Sequence, residues 1–113
     1  MSYTVIKDYE DIFALLQQYA EGCNESGEAA KKTFHTNALV NGDPAEGFFK
    51  AVDKAGKTEA TARIDILDVA GNVACARVVM ENWHGMNFVD FHQLMKVDNE
   101  WKIVSKVYKA YKN

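Results

Sequence analysis

The sequence predicts an α+β domain, with three helices in front and a meander of antiparallel strands behind them. Three observations predict it. Apolar residues recur at helical spacing from Tyr9 to Cys23. Two further cap-and-stripe patterns open at Ser26 and at Asp43. From Glu59 the hydrophobic period changes to two, and short turn clusters separate the runs. Helices that precede strands, rather than alternate with them, indicate α+β and not α/β.

The first helix carries the stripe Tyr9, Ile12, Phe13, Leu16, Tyr19, Ala20 and Cys23. Asp8 is its expected N-cap, with Asp11 in the third helical position. Gly22 weakens its end, and Asn24-Glu25-Ser26-Gly27 breaks it. Ser26 caps a second, short helix running to about Phe34, with Glu28 early and Lys31 and Lys32 late, as the helix dipole prefers. His35 is placed at the end of that helix, and residues 35–42 read as a loop with a short strand in it. Asp43 as cap, Pro44 at the first position and Glu46 closing the box start a third helix. Its buried stripe is Ala45, Phe48, Phe49 and Val52, and Gly56 ends it. Strands follow at 59–67, 73–83, 87–97 and 101–111, joined by connectors short enough for hairpins.

A chain of 113 residues fits a single domain, 1–113. With 48% hydrophobic and 26% charged residues it has ordinary globular composition, and it shows no repeat, linker or low-complexity segment. A net charge of -3 gives no basic footprint for nucleic acid. Lys102, Lys106, Lys109 and Lys112 read as decoration of an exposed strand face. No apolar run approaches the roughly 20 residues that span a bilayer, and the N-terminus lacks a signal-peptide pattern, so a cytoplasmic protein without membrane partners is expected. Cys23 on a helix face and Cys75 in a strand read as reduced thiols, with a disulfide between them as the lesser alternative. No motif calls for a cofactor or a metal.

The strand faces locate a pocket. In 87–97 one face carries Phe88, Asp90, His92, Leu94 and Lys96, the other Val89, Phe91, Gln93, Met95 and Val97. In 101–111 the faces are Trp101, Ile103, Ser105, Val107 and Lys102, Val104, Lys106, Tyr108. Neither strand has one clean polar face, so both sides of the sheet are covered. Three helices cover one side. The other, with Phe91, Met95, Val104 and Tyr108, is expected to form a homodimer interface. Asp90 stands in mid-strand between Val89 and Phe91 and needs a partner or a raised pKa. It is either an acid or donor in a pocket, or a structural carboxylate paired to Arg63, Arg77 or a tyrosine hydroxyl. The apolar face of the first helix includes Tyr19 and should lie across the face of Asp90, bringing hydroxyl and carboxyl together. His84 falls at a hairpin and is expected to be solvated, while Asp90, His92 and His35 could in principle gather round a metal.

The run from Phe88 to Tyr108, with Asp90 followed by an aromatic, then Leu94, Trp101-Lys102-Ile103-Val104 and Lys106, resembles the nuclear transport factor 2-like superfamily. Within its polyketide-cyclase-like set, the group called "putative lumazine-binding" is the most similar, and Tyr19, Phe34-His35 and Asn37-Ala38 fit it as well. The resemblance covers nearly the whole chain. It implies a cystatin-like cone, in which a curved antiparallel sheet wraps a long first helix and the pocket opens between them. It also implies a homodimer through the outer sheet face. The ketosteroid isomerase branch gives a mechanistic analogy. Tyr19 resembles its helix-one tyrosine and Asp90 its strand carboxylic acid, the pair that forms an oxyanion hole. The place of that branch's general base falls near Gly42, one residue before Asp43.

Three functions follow. The first is a small-molecule-binding domain whose pocket draws on Phe13, Leu16, Phe34, Phe49, Trp83, Phe88, His92 and Trp101. The second is an acid/base enzyme on a carbonyl compound, of isomerase, cyclase or dehydratase type. It would use Tyr19 and Asp90, with His35 or Asp43 as the opposing base. The third is a non-catalytic dimeric interaction module with a filled interior.

Overall fold

A computed structural model describes residues 5–112. The first helix, α1 (Ile6–Glu25), is a single run of 20 residues. Val5 stands at its N-cap position without a side-chain bond. Asp8, the expected cap, lies instead in the first turn and is buried. Its carboxylate accepts hydrogen bonds from Lys96 Nζ and Trp101 Nε1, both at 3.3 Å. The helix dipole favours an acid anywhere in the first turn, and the distant strand partners decide which one is used.

The second helix, α2 (Gly27–Lys31), opens as expected, with Ser26 Oγ accepting from Ala29 N at 3.1 Å. It stops short of Phe34, which begins a strand, β1 (Phe34–Val40). His35 therefore lies on a strand and not at a helix end. The segment expected as a loop is a strand because β6 (Glu100–Lys112) pairs with it in parallel, Phe34 opposite Ile103 and Val40 opposite Lys106. That partner is remote in the chain, so no local pattern announces the pairing. Asp43–Pro44 form β2, a two-residue strand against β1, and Asp43 caps nothing. Ala45 N–H donates to Ala38 O at 3.0 Å, and α3 (Glu46–Ala55) starts after it without a side-chain cap.

The strands β3 (Thr61–Ala70), β4 (Val73–Trp83) and β5 (Met86–Val97), with β6, form the expected antiparallel meander. Together with β1 and β2 they make a curved six-stranded mixed sheet of order β2-β1-β6-β5-β4-β3. Ile12, Leu16 and Tyr19 of α1 are buried in one core with Val78 and Met80 of β4, Leu94 of β5 and Ile103 of β6. Each such apolar side chain contributes about 1.5–3 kcal/mol of burial. The helices close on one another at glycine. Gly27 N–H donates to Asp53 Oδ1 at 2.7 Å, and a Cβ on Gly27 would run into the Phe49 carbonyl.

One irregularity reorganises the last strand. Gln93 lies opposite Ser105 and Leu94 opposite Ile103, so Val104 is the extra residue of a β-bulge. Before the bulge Trp101 and Ile103 face the core; after it Lys106 and Tyr108 do. Lys106, expected on an exposed face, is 4% exposed. Tyr108, expected on the outer face, lines the interior. The outer face keeps Phe91 at 51% exposure, Met95 and Val107. Cys23 and Cys75 are both free thiols. Among the described residues no helix is long and apolar enough to cross a membrane.

Candidate functional site

Three elements bring three side chains to one point. The α1 stripe presents Tyr19, the inward alternation of β5 presents Asp90, and the β6 bulge presents Lys106. Lys106 Nζ donates to the Tyr19 hydroxyl oxygen at 2.8 Å, and that hydroxyl donates to Asp90 Oδ2 at 2.6 Å. The result is a continuous chain of cation, hydroxyl and anion. Lys106 Nζ also lies 3.5 Å from the centre of the Phe48 ring, a close cation–π contact.

The electrostatics follow from burial and from the pairing. Burial alone would raise the Asp90 pKa, but Lys106, then His92 and Tyr19, outweigh it and hold the carboxyl below its usual range. Burial pushes the Lys106 amine down, with Asp90 opposing. Burial and then the Asp90 charge push the Tyr19 hydroxyl well above its usual value, so it stays protonated. Burial pushes the Cys23 thiol up to about 11, which leaves it a poor nucleophile at neutral pH. Burial pushes His92 below its usual value, so it is neutral at pH 7. Its Nε2 lies 3.4 Å from Asp90 Oδ2, a contact with the carboxylate rather than an ion pair in that state. Asp90 Oδ1 and both ring nitrogens of His92 have no hydrogen-bond partner among the described residues.

Beside this chain is a cavity of about 110 Å³. Phe48, Ala51 and Val52 of α3 form one wall, Met80 and Trp83 of β4 another. Phe88 and Tyr108, in edge contact at 5.7 Å, close a third. The Trp83 indole N–H donates to the Cys23 carbonyl at 2.8 Å and ties the end of β4 to α1. An apolar cavity of about 150 Å³ accepts benzene, so this smaller one suits a short chain of a few carbon atoms. Its polar wall is the Lys106–Tyr19–Asp90 chain.

Over residues 7–109 the chain matches the family described as "putative lumazine-binding". It belongs to that family. A nuclear transport factor 2-like protein of unknown function from Methylobacillus flagellatus shares the fold at a TM-score of 0.90, with 28% identity over 96% of this chain and 95% of that one. A second, from Shewanella baltica, gives 0.86, with 27% identity over 97% and 98% of the two chains. The fold of this family member is thus nuclear transport factor 2-like. In sequence it is similar to the aldolase FrzH of Cladobotryum sp., 24% identical with 92% of each chain covered.

Of the residues singled out from the sequence, Tyr19, Asp90, Trp83 and Phe88 meet at the cavity. His92 sits behind Asp90, its ring 4.7 Å from that of Tyr19. Leu16, Phe34 and Phe49 are buried in the core, with Phe34 packed on Tyr19 at 5.9 Å. Phe13 is 41% exposed on the outer side of α1, and Trp101 is buried at Asp8, so neither lines the cavity. His35 lies on β1 with Nδ1 accepting from Asn37 N at 3.1 Å, and Asp43 is exposed on β2. Neither stands opposite Tyr19 and Asp90 as a base. No group of three or more His, Cys, Asp and Glu side chains among the described residues is placed to hold a metal ion. His84 is exposed, yet its Nε2 is 3.0 Å from the Gly56 carbonyl oxygen. Of the structural partners expected for Asp90, the tyrosine hydroxyl is the one found, Tyr19, backed by Lys106, while Arg63 pairs with Asp65. An oxyanion hole built on a neutral Asp90 does not fit, because the carboxyl is held ionised and the Tyr19 proton already points at it. The strand pattern does not mark Lys106 as a site residue: the resemblance to the family includes it, but the alternation groups it with the lysines of an exposed face.

Proposed function

We propose that the cone is a pocket for a small, mostly apolar carbonyl compound, and that the Lys106–Tyr19–Asp90 chain transfers protons to and from it. The observation that carries this reading is the buried proton path at the wall of an apolar cavity. A cavity meant only to be filled would be lined by side chains without such a path, since each buried polar group needs a partner. The sequence relative named an aldolase supports carbonyl chemistry for this fold member. In this reading Tyr19 and Asp90 act as an acid/base pair, and Lys106 takes the place left without a base. The protein acts as a homodimer through the outer face of the sheet, where Phe91, Met95 and Val107 are unpartnered in the single chain.

Butanal is a suitable probe. It should bind at the cavity, shifting the side-chain NMR signals of Trp83 and Phe88. In heavy water the protein should exchange its α-protons faster than free lysine does. Tyr19→Phe should lower that rate by about 10²-fold or more, the usual worth of an acid–base group. Absence of both binding and exchange at millimolar butanal would reject the reading.

A further inference from the structure

We infer that the Lys106 amine is a covalent nucleophile, forming an imine with a small aldehyde or ketone held in the cavity. This rests on the carbonyl-pocket reading above and names the reacting atom. Lys106 is 4% exposed, yet it lies on the cavity wall and not in the sealed core. Its nitrogen spends one bond on Tyr19 and packs against the Phe48 ring. A lysine retained only to balance Asp90 would do best in direct contact with the carboxylate, because desolvation of a separated pair is poorly repaid. Here the two are joined through the Tyr19 hydroxyl. That geometry is a proton relay. Tyr19 passes its proton to Asp90 and takes one from Lys106, which leaves a neutral amine beside a neutral acid. The ion pair is the resting state, and burial, which opposes the charge on both groups, eases the transient passage to this neutral pair.

The steps balance. The amine lone pair attacks the carbonyl carbon, and the C–O π pair moves to oxygen. One proton then passes from the new N–C nitrogen to that oxygen, by way of Tyr19, to give the carbinolamine. The Asp90 proton protonates the hydroxyl through Tyr19, water leaves, and the nitrogen lone pair closes the C=N bond. The products are an iminium cation on Lys106, the Asp90 carboxylate as its counter-ion and one water. No oxidant, reductant or metal takes part. The iminium then withdraws electrons from the neighbouring carbon, as aldol and dehydration chemistry require.

The test uses full-length protein, butanal at sub-stoichiometric ratio and sodium cyanoborohydride, followed by peptide mapping. Lys106 should carry the butyl group ahead of exposed lysines such as Lys50 and Lys109. Tyr19→Phe should slow labelling of Lys106 by about 10²-fold, the effect of a lost proton path, and leave Lys50 and Lys109 unchanged. Lys106→Met should remove the fast phase alone. If that variant fails to fold, the wild-type peptide map decides by itself. Labels confined to exposed lysines would overturn the inference. In that case, continued shifts at Trp83 and Phe88 on adding butanal would leave the proposed pocket standing, and their absence would remove it as well.

Discussion

At the scale of single residues, the site is a cation and an anion placed where water hardly reaches, with one tyrosine hydroxyl between them. Such an arrangement makes stability depend on pH. His92 has a folded pKa below its ordinary 6.5, so between that folded value and 6.5 the unfolded chain binds the extra proton. Stability therefore rises with pH across this window and is lost as pH falls below about 6.5. Asp90 adds a second stage. Its folded carboxyl lies below the ordinary 3.8, so its contribution is present above that value and is lost as pH falls through the folded pKa. The groups facing His92 are Asp90 on its own strand, Tyr19 from α1 and Lys106 from β6. The urea midpoint of the protein should drop between pH 7 and pH 5, and His92→Gln should flatten that slope. A wild-type midpoint constant from pH 7 to pH 5 would contradict the assignment. Asp90 and Tyr19 are legible in the sequence because the strand alternation and the helix stripe each set a direction. Lys106 is not, because its direction depends on one extra residue, Val104, whose bulge is stabilised only by the neighbouring strand.

At the scale of elements, the short α2 is held by its neighbours rather than by its own length, since five residues are far too few for an isolated helix. Its first residue is the contact point. Gly27 lies against the α3 backbone at Phe49, and its N–H is bonded to Asp53. Gly27→Ala should therefore force α2 and α3 apart at a cost of about 1–3 kcal/mol, the usual range for overpacking. Chemical denaturation reads this directly. A loss below half a kilocalorie per mole would show that α3 yields freely. Because Phe48 and Val52 on α3 form a cavity wall, the same variant should also weaken butanal binding. The boundaries that the sequence misplaces belong here too. His35 and Asp43 look like a helix end and a helix cap, and both lie on strands. His35 is on β1, which pairs with the remote β6, and Asp43 is on β2, which pairs with β1, so strand pairing overrides local capping preference at both.

At the scale of the whole molecule, three helices and one sheet leave one sheet face open. Phe91 at 51% and Val107 at 55% exposure lie on it together with Met95. A second copy seated there should bury more than about 1,000 Å² in total. Phe91→Asp should convert the dimer to a monomer in sedimentation, since it would bury an unpaired charge at the contact. A wild-type protein that sediments as a monomer at micromolar concentration would remove the dimer. Tyr108 is not part of this surface, and Tyr108→Asp should instead disturb the cavity that it lines.

The linear sequence by itself determined the class of fold, the order of its helices and its four-stranded meander. These rest on periodicities of 3.6 and 2, which are local and need no partner to be read. It also determined that Tyr19 and Asp90 face each other, because each lies on an apolar face that must be buried against the other. Only the tertiary structure decided that β1 and β2 extend the sheet, that Lys106 and Tyr108 turn inward, and that His35 and Asp43 stay away from the site. Each of these depends on register between paired strands, remote for β1 and β6 and neighbouring for β1–β2 and the β5–β6 bulge, and a shift of one residue there sends a side chain to the opposite face.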